Sequence, residues 1–163
     1  MMAFYSGRRP DAGFPEAPPP GPEARFDPES ATPDQVIDHY RGDMLFGDLP
    51  QFEKRLRRNP DLRPEERRVE TLDHMCRLTE EAVHYVLQRS HDPARRRYHP
   101  GQKSAEAFLS MVGSLLPENE PRSAEDVAYE QLDRRRGVLH RAYYDALALQ
   151  QEHVMGKAKN RHA

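Results

Sequence analysis

The stretch that decides the fold is Pro64–Arg89, PEERRVETLDHMCRLTEEAVHYVLQR. Proline opens it, and Glu65 and Glu66 follow in the turn where the helix macrodipole favours acids. Val69, Leu72, Cys76, Thr79, Val83 and Val86 then step by three and four, with Met75, Ala82 and Leu87 widening the stripe. That period is helical, and the run is long enough for a helix of about 40 Å at 1.5 Å per residue. A helix of that length must be covered along one whole face, so the rest of the chain is read for what covers it.

Four more helical stretches surround it. Thr32-Pro33-Asp34-Gln35 reads as a capping box with proline at the first helical position. Val36, Ile37, Tyr40, Met44 and Leu45 continue that first helix, and Gly47 ends it. Leu49, Phe52 and Leu56 share a face of a short second helix that stops at Asn59-Pro60. A fourth begins after Ser104, carries Ala107, Phe108, Met111, Val112, Leu115 and Leu116, and stops at Pro117. A fifth begins after Ser123 and runs far, through Val127, Leu132, Leu139, Ala142, Ala146 and Leu149. Gly137 falls inside it, where glycine costs about 1 kcal/mol relative to alanine, so a kink or a close helix crossing is expected there. No period-2 alternation supports a strand. The fold class is all-α: a small bundle of about five helices, two of them long, with the third and fifth paired.

The first 32 residues differ in kind. They hold seven of the fifteen prolines, including Pro18-Pro19-Pro20, and no Leu, Ile or Val. Proline fixes φ and lacks an amide donor, so this is an extended arm, disordered when alone. Phe4, Tyr5, Phe14 and Phe26 punctuate it, and aromatics spaced through proline-rich sequence read as anchors for the bundle or for a partner. The chain therefore divides into an arm (1–32), a helical domain (33–157) and a basic tail (158–163). Leu, Ile, Val and Phe make up 18 % of the 163 residues and about 20 % without the arm. A core that thin, with helices that long, predicts self-association or a protein partner.

The chemistry-bearing signals are few. The loop from Pro93 to Lys103 carries Arg95, Arg96, Arg97, Tyr98, His99 and Lys103 without an acid, a composition suited to phosphates or to an acidic protein surface. Further basic clusters are Arg55, Arg57 and Arg58; Arg134, Arg135 and Arg136; and Lys157, Lys159 and Arg161 in the tail. The whole chain is not basic, with 25 basic and 27 acidic side chains and net charge -2, which weighs against a dedicated nucleic-acid binder. Glu81-Ala-Val-His84 is a single Glu-x-x-His unit of the kind ferritin-like di-metal bundles use in pairs, and no second one exists. The polar face it belongs to (Glu70, His74, Arg77, Glu81, His84) reads as a solvated one laced with pairs such as Asp73–Arg77.

Several classes are disfavoured. There is no P-loop, no Rossmann glycine pattern, no Gly-x-Ser-x-Gly and no His-Glu-x-x-His. The single cysteine, Cys76, lies in an apolar stripe and cannot build a disulfide framework. No apolar run spans a membrane and no signal-peptide pattern leads the chain, so a cytoplasmic location is expected. Arginine outnumbers lysine 21 to 4, a bias that suggests a GC-rich bacterial or phage genome. The expectation is a non-enzymatic macromolecular-binding protein: an adaptor, regulator or assembly subunit. Nucleic-acid binding through Arg95–Lys103 and the tail is the alternative, and a ferritin-like metal bundle the second. No cofactor, membrane or small-molecule substrate is expected.

Overall fold

The computed structural model describes residues 26–91 and 102–162, with side chains described for 26–89 and 103–156. Five α-helices follow in order: α1 (Pro33–Tyr40), α2 (Leu49–Arg57), α3 (Pro64–His91), α4 (Gln102–Leu115) and α5 (Ala124–His162). Among the described residues there is no strand. The fold is the all-α bundle that the hydrophobic periodicity predicts.

Local chemistry sets the helix starts. At α1 the Thr32 hydroxyl accepts from the Gln35 amide at 3.2 Å, and the Gln35 side chain accepts from the Thr32 amide at 2.8 Å. This is the full capping box. At α5 the Ser123 hydroxyl accepts from the Asp126 amide at 3.1 Å. At α3 the Glu66 carboxylate accepts from the Arg63 amide at 2.9 Å.

Two boundaries differ from the sequence reading. The first helix ends at Tyr40 rather than at Gly47, and Met44–Phe46 forms a separate 3₁₀ turn. Asp43 is the cause. Its carboxylate accepts from the Leu45 amide at 2.9 Å and starts the new turn, while its own amide donates back to the Tyr40 carbonyl. Aspartate competes with the helix in this way because its short side chain reaches nearby backbone donors. The fourth helix begins at Gln102, two residues before Ser104. At the other end of the chain, α5 continues to His162, into the stretch assigned to the tail.

α3 and α5 are antiparallel. Glu65 faces His153, Glu80 faces Arg136 and His140, and Arg89 faces Glu125. Between them lie Leu72, Met75, Val86, Leu132 and Leu139, all essentially inaccessible to solvent. Ala128, Ala142 and Ala146 are the small residues on the α5 side, which lets the two axes approach closely. α4 closes one flank with Phe108 and Val112. Val36, Ile37, Leu45, Phe46 and Leu49, from α1, the 3₁₀ turn and the start of α2, extend this cover, with the 3₁₀ turn packed directly against α4. Thr79, within the apolar stripe of α3, is fully buried and returns its hydroxyl proton to the Met75 carbonyl at 2.8 Å.

α5 is longer than anything that covers it. At 39 residues against 28 for α3, it exceeds its partner by about 16 Å. Since His153 is level with Glu65, the second residue of α3, α5 runs beyond the bundle from Val154 onward.

Candidate functional site

Two surfaces stand out, and neither is a catalytic centre in form. The first is the corner where α2 turns into α3. Asn59 makes the turn tight: its side chain accepts from the Asp61 amide at 3.0 Å, and its carbonyl accepts from the Leu62 amide. Around this turn the chain carries Lys54, Arg55 and Arg57 in the last turn of α2, Arg58 at its C-cap, Arg63 just before α3 and Arg67 in the first turn of α3. Within these fourteen residues the six cations meet three carboxylates, Asp61, Glu65 and Glu66, for a net charge of +3 in a chain whose total is -2. Three of the nearest acids are otherwise engaged. Glu53 pairs with Arg41, Glu65 with His153 at 3.3 Å, and Glu66 caps the Arg63 amide. None of the six cations forms an ion pair among the described residues. Arg67 donates to the Leu62 carbonyl at 3.0 Å, and Arg55 lies over the Phe52 ring at 5.6 Å. A helix C-terminus welcomes one or two cations. Six from two elements exceed what the α2 dipole requires.

Beside this corner, past His153, lies the uncovered end of α5. Val154 and Met155 are 56 % and 65 % exposed, and Tyr144, further back on α5, is 66 % exposed. Tyr144 also lines a small cleft with Asp73, Cys76, Arg77 and Glu80 of α3, and Leu147 is partly buried against the core, so the exposed apolar side chains past His153 are Val154 and Met155. One pole of the molecule thus combines unpaired cations with exposed apolar side chains.

The second surface is an open groove of about 570 Å³ between α1, α5 and the segment leading into α1. Phe26, His39, Tyr40 and Val138 make its floor, and Arg134 and Arg141 its rim. Phe26 stacks flat on His39, with ring centroids 3.8 Å apart, and meets Tyr40 edge-on at 6.0 Å. Arg141 donates to the carbonyls of Pro28 and Glu29 at 2.6 and 3.0 Å, which pins the entering chain against α5. Arg135 closes the inner end of the groove. It pairs with Asp43 at 3.1 Å and lies 5.2 Å above the Tyr40 ring and 5.0 Å above Phe108. Burial, reinforced by the Arg135 charge, holds the His39 pKa below its usual value, so this ring is neutral near pH 7. Burial also raises the Tyr40 pKa. Gly137 lines the groove, and a Cβ added there would meet nothing within 4 Å. The close crossing expected at Gly137 is therefore not its role.

The residues singled out in the sequence fall as follows. Arg95, Arg96, Arg97 and Tyr98 lie outside the described residues, as do Phe4, Tyr5 and Phe14. Lys103 is exposed in the first turn of α4, and Phe26 packs on α1 as described. His84 is exposed and 3.9 Å from Glu80, its neighbour one turn back, and Glu81 is partly buried on α3. Among the described residues no group of three His, Cys, Asp or Glu side chains could hold a metal ion. Cys76 is buried, and its thiol pKa is pushed up to about 12, chiefly by burial and then by the charges of Asp73 and Glu80. A thiol so poorly ionised is a weak nucleophile.

Two sequence readings change. His74 is not on a solvated face: α2 covers it, its ring stacks on Phe52 at 4.0 Å, and it bonds Asp48 at 3.1 Å. The Arg134–Arg136 run is not one cluster. Arg134 is exposed without an ion pair, Arg135 is spent on Asp43, and Arg136 on Asp133 and Glu80. Three consecutive helical positions point 100° apart, so a basic run in sequence is dispersed in space. Conversely, Arg63 and Arg67 follow Arg55–Arg58 across the turn at Asn59, and the sequence reading does not count them with that cluster.

Among the described residues no helix is long and apolar enough to cross a membrane. No protein-family model, no curated protein and no solved structure matches the chain.

Proposed function

We propose that this is a non-enzymatic macromolecular-binding protein, an adaptor, regulator or assembly subunit, that receives an acidic partner protein at its basic pole. The observation that carries this reading is the set of six cations at the α2–α3 corner without ion-pair partners, beside the exposed end of α5. Arginine suits the task because its planar fork engages carboxylates in pairs and stacks on rings. Val154 and Met155 add the apolar contact that makes such an interface more than electrostatic. A cytoplasmic, bacterial or phage setting agrees with the composition and belongs to the same proposal.

Nucleic acid is the second reading, favoured by the same corner together with the Arg95–Lys103 loop. The two separate on salt dependence. The probes are a 20-residue polyglutamate helix bearing leucines on one face and a DNA duplex of equal charge. Both are titrated into the full chain across a range of salt concentrations. A protein-binding pole favours the peptide, and binding falls about tenfold or more when Arg57 and Arg58 become Glu. A phosphate-binding pole favours the duplex, with a log–log salt slope near -0.9 per neutralised phosphate. Equal, weak binding of both probes, unchanged in the R57E/R58E variant, overturns the assignment of the pole.

A further inference from the structure

We propose that the groove between α1 and α5 is a docking site for the chain's own proline-rich segment, with Phe14 on its aromatic floor and Glu16 at its arginine rim. The site is separate from the basic pole, and the inference does not depend on that assignment.

Four observations converge on it. First, the groove is unfilled by any described side chain, its floor is aromatic, and its volume of about 570 Å³ falls in the range that bound ligands occupy. Second, its charge is one-sided where it counts. Arg135 is neutralised by Asp43, but Arg134 has no ion pair, and Arg141 spends its fork on backbone carbonyls rather than on a carboxylate. Among the described residues that line the groove Glu29 is the one acid, and the Asp27 carboxylate nearby is within electrostatic reach of Arg141. Third, Gly137 sits in the interior of α5 at an energetic cost of about 1 kcal/mol relative to alanine. No crowding neighbour explains it, since the space over it is open. A bare, exposed backbone in the wall of a groove is what an incoming chain needs for close approach.

The fourth observation identifies the occupant. Phe26 is itself part of the groove wall, and Arg141 fixes the carbonyls of Pro28 and Glu29, so the chain that precedes residue 26 begins at the groove by covalent necessity. That preceding sequence, from Asp11 through Phe14, Glu16 and Glu23 to Arg25, has three acids, one base (Arg25, next to Phe26) and one aromatic residue, a net charge of -2. Its charge complements Arg134 and Arg141, and its ring matches the floor of Phe26, His39 and Tyr40. The nine residues between Glu16 and Phe26 span up to about 30 Å, enough to reach any part of the groove. Tethering makes such docking intramolecular, so a weak contact is populated that would not be seen between separate molecules.

The chain contains no tryptophan, so Phe14→Trp in the full-length protein creates a single reporter. The measurement is acrylamide quenching of its emission, compared with Phe4→Trp in the full chain and with a free peptide of residues 1–25 carrying F14W. A segment docked nine times in ten is quenched about tenfold less than the free peptide. Gly137→Phe, which fills the groove, should return quenching to the peptide value while the helical circular dichroism is kept. Arg134→Glu should do so in part, and adding Glu16→Arg should restore protection. Quenching equal to that of the peptide overturns the proposal. So does protection that is indifferent to G137F and R134E, which would place Phe14 elsewhere. Protection lost on dilution overturns it as well, because it would assign the groove to the arm of a second copy.

Discussion

Arg135 shows how one side chain can be legible in type and illegible in role. In the sequence it is the middle of three arginines. In the fold it ties α5 to Asp43, and through Asp43 to the 3₁₀ turn, while its guanidinium covers the Tyr40 and Phe108 rings. Only the fold supplies those partners, since Asp43 lies 92 residues away. Cys76 is the opposite case. Its place in a stripe of threes and fours already marked it as core, and it is buried with a thiol pKa raised to about 12. A definite pH dependence follows. The unfolded thiol ionises near pH 8.5, whereas the folded one stays protonated. Above that pH the unfolded chain binds fewer protons, so stability contributed at this site is complete below about pH 8.5 and is lost as pH climbs toward 12. Denaturation midpoints measured from pH 7 to 10.5 should fall less in Cys76→Ala than in the parent, relative to each protein's own value at pH 7. A parallel decline in both would remove Cys76 as the cause.

At the scale of elements, periodicity was a good guide to existence and a weaker one to boundaries. α3 was readable almost to the residue because proline, acids and apolar spacing all agree there. α1 was not, because Met44 and Leu45 keep the helical spacing while Asp43 has already diverted the backbone. Periodicity also shows which face of α5 is apolar without showing how far the cover extends. Leu139 and Leu115 illustrate the difference, since both were counted as core. Leu139 is fully buried against α3, whereas Leu115 is 72 % exposed at the end of α4. Leu139→Ala should lower the unfolding free energy by about 2–5 kcal/mol. Leu115→Ala should change it by less than about 0.5 kcal/mol. Urea titrations of the two variants check the contrast, and similar losses in both would contradict the packing described.

Over the whole molecule, charge is segregated in a way that composition conceals. A net charge of -2 suggested a balanced surface, but the α2–α3 corner alone holds +3. The candidate site was therefore only partly legible. The cluster Arg55, Arg57 and Arg58 was visible without Arg63 and Arg67, and the uncovered end of α5 beside it is a product of the tertiary fold. Like charges gathered without partners repel one another, and that repulsion is screened by salt. Exposed ion pairs elsewhere contribute little to oppose the effect. Raising ionic strength from about 20 mM to 200 mM should therefore raise the melting temperature, by about 2–4 °C if the relief is near 1 kcal/mol. The rise should shrink in an Arg57→Gln/Arg58→Gln variant. A melting temperature that falls with salt would show that the corner is not under electrostatic strain.

The order of the helices has a consequence for biosynthesis. α5 follows every element it covers, and the long face of α3 has no other cover of comparable extent. While the chain is being made, Leu72, Met75 and Val86 have helices α1, α2 and α4 nearby but lack the wall that shields them. The ribosome can release a helical precursor at that stage but not a closed core. Folding of this protein is thus completed only when α5 has emerged, and until then its apolar seam is a surface for chaperones to hold.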